Sequence, residues 1–278
     1  MPEFTRDGLS FHYETRGDPT APAVVLLHGF TSDLRAWHEH MEVLGRDYFA
    51  VALDMRGHGA SAAPEDLALY AIEEYAADVR ALLDHLELEV CALVGCSFGG
   101  MVAAQFAVTW PERLAALVLS DASPAYASDR YDEAFRARER GIDANDEVVR
   151  KMGTAELGKR AAANVSDPFL AAALRKRYSR MSREGFIGAA HTRRSRPDLI
   201  PQLREKLRMP VLLCTGDKDP VRCAFEVMAE ELPTARAVTF RDTGHGVPML
   251  KPEPFLKVLY AFFEAVEDDQ PVAGRSTV

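Results

Sequence analysis

Apolar residues along the chain fall into two rhythms. Five short runs, at residues 23–27, 49–53, 91–94, 114–119 and 210–214, are apolar almost without interruption over the length of a strand. Such runs mark strands buried on both faces, where alternation with polar residues is lost. Between them lie stretches with helical spacing. The clearest is 72–86, with Ile72, Tyr75, Ala76, Val79, Leu82, Leu83 and Leu86 on one stripe. Residues 101–110 are small and apolar with Pro111 as a stop, and a helix through Trp37, Met41 and Leu44 has Ser32 or Asp33 to cap it. Helices are also expected at 225–232 and 251–266, a last strand at 237–241, and an opening hairpin at 4–5 and 9–15. Strands alternating with helices of this length imply an α/β fold, a mostly parallel, doubly wound sheet covered on both faces.

The rhythm changes between 124 and about 207. Strand signals vanish there, Ala, Arg and Glu become frequent, and Gly141, Gly153, Asp167-Pro168, Gly185 and Pro197 break the stretch into helix-sized pieces. The expected organisation is a core of residues 1–123 and 208–267, an inserted helical segment at 124–207, and a flexible tail at 268–278.

Composition narrows the class. The 278 residues, 47% hydrophobic and 27% charged, suffice for one α/β domain carrying an insertion. No apolar stretch reaches the length of a membrane span and the opening residues lack a secretory h-region, so a cytoplasmic protein without a membrane partner is expected. A net charge of −9 disfavours nucleic acid as a partner. Cys91, Cys96 and Cys214 fall in or beside buried strands and, like Cys223, show no Cys-x-x-Cys spacing, which points to reduced cysteines. No ligand cluster for a metal and no phosphate loop is present, so neither metal nor cofactor is expected. The charge is uneven. Residues 136–206 hold 17 Lys/Arg against 9 Asp/Glu, a surplus of +8 that leaves −17 for the remainder. The favoured reading docks the arginines onto the acidic body; the rival steers an anionic substrate.

The chemistry is organised around Gly95-Cys96-Ser97-Phe98-Gly99, which follows a buried strand and opens a helix. In that context Gly-x-Ser-x-Gly forms a sharp turn that lifts the serine Oγ above the sheet. Gly95 and Gly99 spare the turn two Cβ atoms, and the helix start supplies free amides below the hydroxyl.

Four stretches, His28-Gly29-Phe30, Asp54 to Ser61, Gly95 to Gly100 and Thr243 to Gly246, match the α/β-hydrolase superfamily in order and spacing. The resemblance covers residues 4–266 and implies a triad in the order serine, acid, histidine. It makes Ser97 the nucleophile and His245, in a glycine-flanked loop after the last strand, its base. The acid it implies is Asp219, with Asp121 as rival and Asp217 as a turn former. It also implies the Phe30 and Phe98 amides as oxyanion donors. His28 and His58 read as structural, and His38 and His40 point different ways on their helix.

By the same resemblance, residues 124–207 form a lid, with Tyr126, Phe135, Phe169, Tyr178, Met181 and Phe186 as candidate pocket residues. The implied activity is hydrolysis of a small carboxylic ester or lactone through an acyl-enzyme. Perhydrolysis, carbon–carbon bond hydrolysis and a small-molecule receptor with residual activity stay open. A serine rather than an aspartate at position 97 argues against haloalkane dehalogenation and epoxide hydrolysis. Oligomeric state is not legible in these patterns.

Overall fold

The computed structural model describes residues 2–163 and 165–278. One nine-stranded sheet runs in the order β1-β2-β4-β3-β5-β6-β7-β8-β9. Its strands are β1 (Glu3–Arg6), β2 (Leu9–Arg16), β3 (Ala23–Leu27), β4 (Phe49–Leu53), β5 (Cys91–Cys96), β6 (Leu114–Ser120), β7 (Val211–Gly216), β8 (Arg236–Phe240) and β9 (Gly274–Thr277). The β1–β2 and β2–β4 pairs are antiparallel, and every pairing from β4 to β9 is parallel.

The continuous apolar runs have the cause their pattern implies. Val25, Leu27, Val51, Leu53, Leu93, Leu117 and Leu213 face one core, shared with α2 (Ile72–His85), α3 (Phe98–Thr109) and α9 (Arg222–Glu231). Their strand neighbours Val24, Leu26, Ala50, Ala52, Val94, Val118 and Leu212 face another, closed by α1 (His38–Leu44) and α11 (Pro252–Glu267). Between β8 and α11 lies one short helix, α10 (Val247–Leu250).

The insertion holds α4 (Glu133–Met152), α5 (Thr154–Ala163), α6 (Pro168–Ser179), α7 (Arg183–Ser195) and α8 (Ile200–Lys206), with no strand among its described residues. No described helix is long and apolar enough to cross a membrane.

The tail is a correction. Residues 268–278 are expected to fray, yet Gly274–Thr277 adds a parallel edge strand to β8, and Arg241 N donates to Val278 O at 2.8 Å. An exposed edge strand is held by its backbone ladder, so its polar sequence shows no apolar alternation.

The loop after β4 fixes the loop after β3, and with it the approach to the site. Asp54 is buried, and its carboxylate accepts from Leu34 N at 2.8 Å, Ala60 N at 2.9 Å and His12 Nδ1 at 2.9 Å. Met55 N donates to His28 Nε2 at 3.2 Å. Removing a buried charged acceptor orphans each of these donors. Asp54→Ala should therefore lower unfolding stability by about 3 kcal/mol. Urea denaturation checks this, and a change below about 0.5 kcal/mol contradicts it.

Candidate active site

Loops at the carboxyl ends of β3, β5, β7 and β8 converge on one point, where parallel sheets place their ligands. Ser97 sits there with φ +54° and ψ −113°, between β5 and α3. A non-glycine residue in that region stores about 1–3 kcal/mol of strain, so its surroundings must hold it. They leave no slack: a Cβ on Gly95 would lie 2.4 Å from Gly99 O, and one on Gly99 would lie 2.3 Å from Leu27 O. Ser97 N is fixed by Ser120 O at 2.8 Å.

His245 and Asp219 arrive from the neighbouring loops. Ser97 Oγ stands 2.8 Å from His245 Nε2, and His245 Nδ1 stands 2.9 and 3.0 Å from the two Asp219 oxygens. Asp217 contributes more than a turn: its Oδ1 accepts from Thr243 N at 3.0 Å, tying the acid loop to the histidine loop.

Burial alone would raise the Asp219 carboxyl, but hydrogen bonds from His245 and then Asp121 hold it below its usual range. Asp121 does not contact His245 in the acid's place. It lies behind Asp219, where its Oδ2 accepts from Ser120 Oγ at 2.6 Å and Val247 N at 2.9 Å. Burial, then the neighbouring Asp219 charge, push Asp121 well above the usual carboxylate value, which favours its protonated form. Burial, reinforced by the Arg138 charge, outweighs Asp219 and lowers His245 below 6.5, leaving a neutral imidazole at pH 7. The donor atoms of Asp121, Asp219 and His245 lie within 4.8 Å of one another. A metal there would have to displace the bonds just described.

His28 and His58 are buried, and their rings meet edge to face at 5.0 Å. Burial lowers both, His58 to about 3, so they are neutral packing groups with Nδ1 bonded to Gly29 O and Arg56 O. His38 faces Glu14 at 3.2 Å while His40 Nε2 meets Pro248 O at 3.1 Å, so they do point apart. Cys96 and Cys214 are buried thiols pushed up by burial, and all four cysteines are free.

A cavity of about 330 Å³ opens over Ser97. Of the candidate pocket residues, Tyr178 and Phe186 line it, together with Phe30, whose ring lies 4.8 Å from that of Phe186. Four lid candidates are corrected. Phe169 is 86% exposed on the outer face of α6. Met181 is buried in the core, and its carbonyl accepts from Thr154 Oγ1. The Phe135 ring meets Tyr131 in a tilted pair at 4.3 Å and packs with Val221 and Ala224, which docks α4 onto the body. Tyr126 bonds Asp143 and borders, with Phe135, a separate cavity of about 790 Å³.

The residues that do line the site include Arg138, Ile142 and Asn145, spaced four and three along α4, and Arg177 on α6. The only sequence signal for the first three is that helical spacing, which a search for apolar stripes passes over. Met249 and Leu250, in α10 just after Gly246, complete the wall.

The lid arginines divide their bonds. Arg193 pairs with Glu139, and Arg194 with Asp143 at 3.3 Å and Asp146 at 3.1 Å, all inside the lid. Arg177 reaches the body, but through neutral groups: Phe30 O at 2.8 Å, Thr31 O at 3.1 Å and Thr31 Oγ1 at 2.8 Å. From residues 136–206, Arg180 meets Asp33 and Arg204 meets Glu231, both body acids, each at 3.8 Å. Earlier in the lid, Arg130 pairs with Glu230 at 2.5 Å and Glu231 at 2.7 Å, so docking uses both carbonyls and opposite charge.

With this geometry established, residues 22–252 match the alpha/beta hydrolase fold family, and the chain belongs to it. It is a hydrolase built on that fold. It is 30% identical over 275 residues to a putative 2-succinyl-6-hydroxy-2,4-cyclohexadiene-1-carboxylate synthase of Bacillus subtilis (strain 168), covering 94% of this chain and 97% of the relative. It is 27% identical to 3-oxoadipate enol-lactonase 2 of Acinetobacter baylyi, over 78% of this chain and 79% of that one. Among solved structures, the enol-lactonase from Burkholderia xenovorans LB400 superposes with a TM-score of 0.83 at 23% identity, over 95% of this chain and all of that one.

The electrostatics can be checked on the resting protein. His245 should titrate below pH 6.5 by imidazole NMR, because burial opposes its charged form. Asp219→Asn should lower that midpoint further, since the carboxylate is what favours the imidazolium. Asp121→Asn should leave it nearly in place, because an amide replaces a protonated carboxyl without changing the charge. A larger shift in Asp121→Asn than in Asp219→Asn contradicts this assignment.

Proposed function

We propose that this chain opens a small carboxylic ester or lactone through an acyl-enzyme on Ser97, with His245 as general base and Asp219 as the acid that orients it. The observation that carries this reading is the 2.8 Å contact between Ser97 Oγ and His245 Nε2, with the opposite ring nitrogen on Asp219, beneath a cavity of about 330 Å³. A serine hydroxyl is a poor nucleophile at neutral pH and needs a base within this distance.

As Ser97 Oγ attacks the carbonyl carbon, its proton passes to Nε2. Asp219 stabilises the imidazolium and holds the ring so that the same nitrogen next protonates the leaving alkoxide. In a lactone the alkoxide stays tethered to the acyl group, so ring opening produces a hydroxy-acyl enzyme. Water then attacks the acyl carbon, giving a proton to His245; the bond from that carbon to Ser97 Oγ breaks, His245 returns the proton to Oγ, and the free acid leaves. The oxyanion in each step falls to the amides of Phe98, at the start of α3, and Phe30. Losing one such donor costs about 3 kcal/mol of transition-state stabilisation. Arg177, bonded to the Phe30 and Thr31 carbonyls, supports this role by holding the second donor's loop in place. The lactonase from Acinetobacter baylyi, similar over most of both chains, supports the choice of lactone or ester.

Ser97→Ala and His245→Ala should each lower kcat/KM for p-nitrophenyl butyrate by about 10⁴-fold or more, and the double variant should be no worse. In the parent protein kcat/KM should fall as pH drops through the His245 midpoint, because the protonated ring cannot accept the serine proton. Repeated turnover is expected; a single burst followed by silence favours a receptor, and full activity in Ser97→Ala removes the nucleophile.

A further inference from the structure

Two guanidinium groups reach the cavity over Ser97, and they are held differently. Arg177 spends Nε and Nη2 on the Phe30 and Thr31 oxygens, away from the catalytic candidates. Arg138 contacts one of them. Its Nη1 donates to Glu139 Oε1 at 2.6 Å, but Glu139 also serves the buried Arg193, so one carboxylate answers two cations. The other end, Arg138 Nη2, donates to His245 Nε2 at 2.9 Å.

That last bond conflicts with the base. A neutral imidazole whose Nδ1–H faces Asp219 has one lone pair, on Nε2. Ser97 Oγ, at 2.8 Å, and Arg138 Nη2, at 2.9 Å, both aim a hydrogen at it. While the guanidinium occupies the lone pair, the serine proton has no acceptor. Arg138 must therefore move before Ser97 can react, and an anion in the cavity is the group that would draw it away. A carboxylate accepts two N–H bonds from a guanidinium and outcompetes a neutral ring nitrogen.

We propose that Arg138 binds a carboxylate carried by the substrate, and that this same movement releases His245, so that the resting site is restrained until an anionic ester or lactone enters. The proposal rests on the serine-hydrolase reading above and narrows it to substrates bearing a second, ionised carboxyl group. It also separates the lid's roles: most of its arginines dock or brace, and Arg138 recognises.

The probe pair is mono(p-nitrophenyl) adipate and the same compound capped as its methyl ester, both followed by p-nitrophenolate release. The parent protein should prefer the anionic ester. Arg138→Gln should lower kcat/KM for that ester by roughly 10- to 100-fold, the loss of its charge-assisted contact with the carboxylate, and raise it severalfold for the capped ester. Arg138→Lys should retain part of the preference. The acid limb of the capped-ester profile should move to higher pH in Arg138→Gln, because a positive charge beside Nε2 opposes its protonation. The other charged or titratable groups facing His245, namely Asp219, Asp121 and Glu139, are unchanged in that variant.

A structural role would depress both esters together and leave the profile where it was, and that result overturns the proposal. A readout without turnover separates the two readings. Adipate should bind calorimetrically to Ser97→Ala and at least tenfold more weakly to the Ser97→Ala, Arg138→Gln double variant. Equal binding overturns the proposal even where the hydrolase reading stands. Arg138-dependent binding without turnover in the parent protein supports the carboxylate site and sinks the hydrolase reading instead.

Discussion

Everything at the site depends on one strained residue. Ser97 keeps a left-handed backbone because Gly95 and Gly99 let β5, α3 and the end of β3 close to distances no side chain would permit. The strain is small beside the packing that enforces it: Leu93, Val94, Phe98 and Val102 around the turn are all fully buried. In return the hydroxyl is presented at the rim of the sheet, with an imidazole in reach and a helix start beneath. Relaxing the turn by a few tens of degrees would leave the fold intact and the chemistry gone.

The sheet supplies the remaining geometry. Because β3, β5, β7 and β8 run parallel, their carboxyl ends meet at one edge, and the loops there are stitched to one another rather than to the core. Asp54 joins the β4 loop to the β3 loop, and Asp217 joins the β7 loop to the β8 loop. The Asp121–Asp219 pair adds an electrostatic element. Asp121 lies behind Asp219, and burial beside that charge raises its carboxyl, which disfavours a second buried negative charge at the site.

Where sequence and structure agree, a physical pattern stands behind the agreement. Strands buried on both faces cannot avoid continuous apolar runs, so β3, β4, β5, β6 and β7 were legible. The turn at Ser97 needs glycines at fixed positions, so Ser97 was legible from its own residues; Asp219 and His245 were legible only through the resemblance in motif order and spacing, since 148 residues separate Ser97 from His245. The lid was legible as helices but not as a pocket. Aromatic residues there serve docking as readily as lining: Phe135 faces α9 and Phe169 faces solvent, and periodicity cannot tell them from Phe186. Arg138 was invisible for the converse reason, since a polar residue on an amphipathic helix ordinarily points outward. The edge strand β9 is polar and held by backbone bonds, which no side-chain pattern records.

The central claim is that Ser97 is an activated nucleophile, and covalent labelling tests it most directly. An activated serine attacks phosphorus, whereas an ordinary one does not. Incubation with a fluorophosphonate, followed by mass spectrometry of the digested protein, should place a single stoichiometric adduct on Ser97, and His245→Ala should abolish it. No adduct in the intact protein, or an adduct on another residue that survives His245→Ala, would contradict the account.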